Sequence, residues 1–169
     1  MTSERTDRPT ALDERTMLTT FLDYTRATVH AKCEGLTDEL AHLAPIPTSP
    51  LMSIGGVVSH LRWVETWWFE TVFLGRPDTG PWTDDEPDRE MSLGAVTPIA
   101  ELLADYEREA VKHRELVAQH DLEDLAKTPG RDGERMSLKW ILHHLIEETA
   151  RHNGHLDLLR EMVDGVTGE

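Results

Sequence analysis

Apolar residues recur at helical spacing in four long stretches of the chain. In the first, Met17, Leu18, Phe21, Leu22, Thr25 and Val29 share a face, which predicts a helix from about Ala11 to Glu34 that Gly35 ends. A short turn follows Thr37, where Asp38 and Glu39 suit a helix N-terminus, and the prolines between Ala44 and Pro50 then impose a loop. The second stripe is Ile54, Val57, Val58, Leu61, Val64, Trp68 and Val72, capped by Ser53, running to about Phe73 and closed by Gly75 and Pro77. Gly55 and Gly56 near its start weaken a helix and so mark a close backbone approach. Thr97-Pro98 opens a third helix as cap and first-turn proline, with Ile99, Leu102, Leu103, Tyr106, Ala110 and Val117 inward as far as about His120. Ser137 caps the fourth, whose stripe of Leu138, Ile141, Leu142, Leu145, Thr149, Leu156, Leu159 and Val163 runs to Gly165.

Four amphipathic helices without a convincing strand predict an all-α protein, a four-helix bundle. The connection from Gly75 to Val96 is rich in Pro, Asp and Gly and reads as loop. A helix of about twenty residues spans about 30 Å, so a connection of that order crosses the length of a bundle. The expected order is therefore up-down-down-up, with the long crossover between helices two and three. A second break, Asp121 to Met136, centres on Pro129-Gly130 and Asp132-Gly133. Residues 1–9 read as a flexible terminus and residues 10–165 as a single domain.

One position breaks the pattern. Glu148 falls inside the fourth apolar stripe, and His152 stacks on it one turn later. A core-facing carboxylate is costly unless it is paired or binds a metal. Arg151, or a basic residue of another helix, would supply a pair. A metal needs more donors, and His60 is the candidate, at the edge of the second stripe beside Val57, Val64 and Trp67. It lies seven residues, roughly 10 Å, beyond the cap of its helix, and His152 roughly 16 Å before the end of the fourth. Antiparallel packing would bring them level. Two imidazoles and a carboxylate leave a coordination position open, as in catalytic zinc sites, and the set also suits nickel, cobalt or ferrous iron. His144 and His155 flank the stripe as alternative donors. His113, on the inner face of helix three, reads as a core histidine or an outer partner of a ligand. His30, His42, His120 and the outward-facing His143 carry no comparable signal.

Charge narrows the partners. With 32 acidic and 17 basic residues the formal net charge is −15, which repels nucleic acid and anionic membrane. No apolar run is long enough to span a bilayer, and the polar N-terminus lacks a signal-peptide pattern. The lone cysteine, Cys33, rules out an internal disulfide framework and suits a reducing compartment. A cytoplasmic protein is expected.

Two segments resemble a known family. Leu51 to Gly75, with His60-Leu61-Arg62-Trp63-Val64-Glu65 and Trp67-Trp68-Phe69, resembles the second helix of DinB/YfiT-like proteins. Trp140 to Arg160, with His144, Glu148, His152, Asn153, Gly154 and His155, resembles their last helix, which often reads His-x-x-x-His-x-Gly. Glu148 stands at the first metal position, similar to the His, Glu and His set of the mycothiol-dependent maleylpyruvate isomerase branch. The resemblance implies His60, Glu148 and His152 as ligands of one divalent ion, zinc or nickel. It also implies a low-molecular-weight thiol such as mycothiol or bacillithiol as cosubstrate, and a small electrophile as its partner. The isomerase branch carries a C-terminal domain with no counterpart before Glu169, so isomerisation of maleylpyruvate is not expected.

The leading expectation is thus a metal-dependent thiol S-transferase. A free thiol, with a pKa near 8.5, is mostly protonated at neutral pH, and metal coordination makes it a thiolate. Arg62, Arg151 and Trp67 are candidate substrate contacts. A metal hydrolase is the alternative, with Glu65 or His155 as general base. A third reading is a non-catalytic, metal-stabilised bundle acting through a partner or as a homodimer, with Trp63, Trp67, Trp68 and Trp82 at the interface. Cys33, near the end of helix one, reads as a packed small residue.

Overall fold

A computed structural model describes residues 10, 12–130 and 132–167, so the expected flexible segment 1–9 lies outside the described residues. The described chain is all-helical, without a strand; an isolated antiparallel bridge joins Leu125 to Ser137. The helices are α1 (Glu14–Lys32), α2 (Asp38–Ala41), α3 (Ile54–Thr66), α4 (Arg89–Gly94), α5 (Ile99–Ala118) and α6 (Leu138–Asp164). α3 runs on as a π-helical stretch over Trp67–Phe73.

Local chemistry sets most of these ends. Asp13 caps α1 by accepting from the Thr16 N–H at 3.0 Å, and Ser53 caps α3 by accepting from Gly56 at 3.0 Å. Ser137 does the same for α6 through the Trp140 N–H at 3.2 Å. Gly35 and Gly165 take φ of +70° and +79°, the left-handed turn that ends a helix at little cost only for glycine.

Two expectations need correction. Thr97 does not cap α5: its hydroxyl donates to the Leu93 carbonyl, Pro98 takes the cap position, and Asp38 of α2 accepts from the Ile99 N–H at 2.8 Å. A cap from a distant element satisfies that N–H as well as a local one would. The connection from Gly75 to Val96 is not all loop either, because it contains α4. Gly55 and Gly94 explain why: a Cβ on either would sit 2.3 Å from the other's carbonyl oxygen, so α4 lies backbone-to-backbone on α3. The close approach marked by Gly55 is real, and its partner is this short helix.

α1 packs on α6, and α3 packs on α4, α5 and α6. Buried apolar side chains form two clusters. One holds Val29, Ile54, Val57, Leu61, Ile99, Tyr106, Leu156 and Leu159. The other holds Leu18, Leu22, Phe69, Val72, Val117, Ile141, Leu142 and Leu145. Between them, on all four long helices, lies a layer of buried polar groups: Arg26, Glu65, His113, Glu148, His152 and Asn153. The candidate site sits in that layer.

Candidate metal centre

The polar layer has two halves. In the first, Glu65 of α3 is fully enclosed and has all its lone pairs in use. Oε1 accepts from Arg26 Nε and the Tyr106 hydroxyl, both at 3.0 Å, and Oε2 faces Arg26 at 2.6 Å and His113 Nδ1 at 3.2 Å. Burial disfavours the charged carboxylate, yet Arg26 and His113 outweigh it and hold Glu65 far below its usual range. This knot ties α1, α3 and α5 together.

The second half is the site. α3 brings His60 to α6, and α6 contributes Glu148 and His152 at i and i+4. Glu148 Oε1 lies 3.4 Å from His60 Nε2 and 3.1 Å from His152 Nε2. The ring centroids of the two histidines are 4.9 Å apart, and one donor atom from each of the three residues lies within 4.8 Å of the others. Donors bonded at about 2.1 Å to a tetrahedral ion stand roughly 3.4 Å from one another, so the spacing fits a small divalent cation.

The outer groups aim these donors. His60 Nδ1 donates to Glu90 Oε1 at 3.0 Å, which turns Nε2 toward Glu148. Glu90, in the first turn of α4, is 5% exposed. His152 Nδ1 lies 3.2 Å from His155 Nδ1, so that pair shares a proton and His152 Nε2 faces inward. Arg151 takes Glu148 Oε2, leaving Oε1 for the interior. An imidazole held through its second nitrogen by a carboxylate or similar acceptor is the usual support of a metal ligand.

The charge states follow from these neighbours. Burial opposes a charge on His60, but Glu90 and Glu148 outweigh it and raise its pKa. For His152, burial and the charge of His60 push the pKa down to about 4, which leaves a neutral imidazole at neutral pH. Burial also opposes the Glu148 carboxylate, and His152, Arg151 and His60 prevail to keep it ionised.

The other candidates lie in different surroundings. His113 is part of the Glu65 knot, not a partner of the histidines at the triad. Glu65 itself is committed to four contacts in that knot. Arg62 donates to Asp105 at 2.8 Å, lies 3.6 Å above the Trp63 ring, and borders a separate cleft of about 440 Å³ between α3 and α5. His144 stacks on Trp140 and meets Trp68 edge-on, and Trp67 also packs edge-on against Trp68. His143 is exposed. Cys33 is buried, and burial pushes its thiol up to about 12, which removes it as a nucleophile. Glu90 was missed because it follows an acidic, proline-broken segment without helical periodicity; Gly55 carried the one signal that something had to approach α3 there.

A helical protein in which half-buried His60 meets buried Glu148 and His152, each histidine held by an outer group, has a set of donors that could hold a metal ion. The family model described as mycothiol S-transferase matches residues 17–165, nearly the whole chain. The chain therefore belongs to the mycothiol S-transferase family, a DinB/YfiT-like family. No curated protein matches it.

Proposed function

We propose that His60, Glu148 and His152 bind one divalent ion, zinc or nickel, and that the protein conjugates intact mycothiol, through its thiol sulfur, to a small electrophile. The observation that carries this reading is the triad itself: three donors converge while Glu90 and His155 occupy the outward nitrogens of both imidazoles. Membership of the mycothiol S-transferase family supports the thiol and the reaction class. The bound ion would lower the pKa of a coordinated thiol so that it reacts as thiolate. The protein's own groups hold the donors in place. Glu90 and His155 orient the imidazoles, and Arg151 keeps the second oxygen of Glu148 turned outward. The thiol sulfur forms a bond to carbon, the leaving group departs with its electron pair, and the thiol proton passes to solvent.

The same reading takes the four long helices as one DinB-like, up-down-down-up bundle, with residues 75–96 as its crossover. The packing of α1 on α6 and of α3 on both α5 and α6 supports it. Hydrolysis is the weaker reading, because of its two candidate bases the carboxylate of Glu65 is committed to Arg26, Tyr106 and His113, and His155 Nδ1 is engaged by His152.

The test is metal content and activity together. Untagged protein should carry about one zinc or nickel per chain by mass spectrometry, and His60→Ala should carry almost none. The loaded protein should conjugate mycothiol to monochlorobimane faster than the uncatalysed reaction. Stoichiometric metal without conjugation by mycothiol would overturn the transferase reading.

A further inference from the structure

A cavity of about 320 Å³ opens beside His60 and His152. Pro50, Leu51 and Met52 form one wall, in the segment just before the cap of α3, and Met91 of α4 forms another. Methionine side chains adapt to varied apolar shapes. The volume is at the small end for ligand cavities, the size of a molecule built around one aromatic ring. Mycothiol is a hydroxyl-rich thiol, so an apolar cavity against the triad suits the other substrate.

Charge points the same way. The acidic groups at the cavity are Asp88 and Glu90, and among the described residues no lysine or arginine lines it. The Oε2 atom of Glu90 is buried without a hydrogen-bond partner, so its charge is only partly answered by His60. With a thiolate bound, a divalent ion is balanced by Glu148 and Glu90, Arg151 is balanced by the thiolate, and Asp88 leaves a negative excess. A second anion entering there would meet the buried carboxylate of Glu90 and, screened by solvent, that of exposed Asp88.

We infer that this cavity is the electrophile pocket, and that it selects uncharged, apolar electrophiles of about one aromatic ring over carboxylate-bearing ones. The assignment of the occupant as electrophile rests on the transferase reading above; the pocket's charge selectivity is tested separately from it.

The experiment has a binding arm and a kinetic arm. In the first, protein as purified, labelled with ¹³C at the methionine methyls and held with saturating mycothiol, is titrated with 4-methylacetophenone and with its isosteric anion 4-methylbenzoate. Met52→Leu and Met91→Leu identify the two signals among the 6 methionines. The ketone should shift both signals and bind about tenfold or more tightly than the benzoate. Unmoved signals, or equal affinity, would overturn the pocket. In the second arm, metal-loaded protein and mycothiol receive benzyl bromide or 4-(bromomethyl)benzoate. Sulfur bonds to the benzylic carbon, bromide leaves with the bonding pair, and the thiol proton goes to buffer. The neutral substrate should have about a tenfold higher kcat/KM after subtraction of the uncatalysed rates, and Asp88→Lys should narrow that ratio severalfold. Equal rates would overturn the selectivity and leave the transferase reading intact. Shifted methyl signals with no conjugation of either bromide would overturn the transferase reading and leave the pocket's charge selectivity standing.

Discussion

The two oxygens of Glu148 face different partners: Oε1 lies toward His60 and His152, and Oε2 takes Arg151. His152→Ala removes a donor and should abolish stoichiometric metal while helicity by circular dichroism stays close to the parent. Unchanged metal content would show that the ion is held elsewhere. Glu90→Ala leaves all three proposed donors in place but frees the His60 ring. Loss of such an outer partner typically weakens a metal site about 10–100-fold, and competition with a chelating dye would measure that here. An unaltered affinity would reduce Glu90 to a packing residue.

At the level of elements, α4 matters more than its six residues suggest, because it carries Glu90 and one wall of the cavity. Its position depends on the mutual contact of Gly55 and Gly94. Gly94→Ala places a methyl against the Gly55 carbonyl oxygen and the Ser59 side chain, so α4 must move away. The expected loss is about 1–3 kcal/mol in denaturant unfolding, with weaker metal binding alongside, because Glu90 moves with the helix. A variant with parental stability and affinity would mean that the contact is slack. The π-helical stretch Trp67–Phe73 lies immediately after the polar layer, as such segments often lie near functional sites.

Across the whole molecule, the polar layer divides two apolar clusters, and the Glu65 knot is its structural half. Glu65→Gln takes from Arg26 its buried partner and leaves it only the partly exposed Asp23, at 2.9 Å. Breaking a buried ion pair from one side costs about 3–5 kcal/mol, a large part of the stability of a domain this size. The pH dependence has a definite sign. The folded-state pKa of Glu65 is depressed, so its stabilisation is present above the unfolded value near about 4.3 and is lost as pH falls toward the folded value. The stability gap between parent and Glu65→Gln should be widest near neutral pH and should narrow between about pH 5 and pH 3 in thermal melts. A gap that stayed constant on acidification would show that the carboxylate's charge is not what Arg26 needs.

The sequence by itself determined the four long helices, because periodicity, serine caps and terminal glycines are local properties that a neighbour need only accept. It also determined that Glu148 and His152 share the buried face of one helix, since a spacing of four is fixed by helical geometry. His60 was legible less directly, from its height on another helix and from a resemblance to the family that the match over residues 17–165 bears out. What only the tertiary structure decided is the company each side chain keeps. His113 and Glu65 lie on inner faces, as their stripes required, but which buried group meets which depends on packing between helices distant in sequence. The same holds for the Asp38 cap of α5 and for Glu90, whose weight comes from a helix too short and too polar to announce itself. Periodicity tells a residue's depth; only the fold tells its neighbour, and the proposed chemistry is made of neighbours.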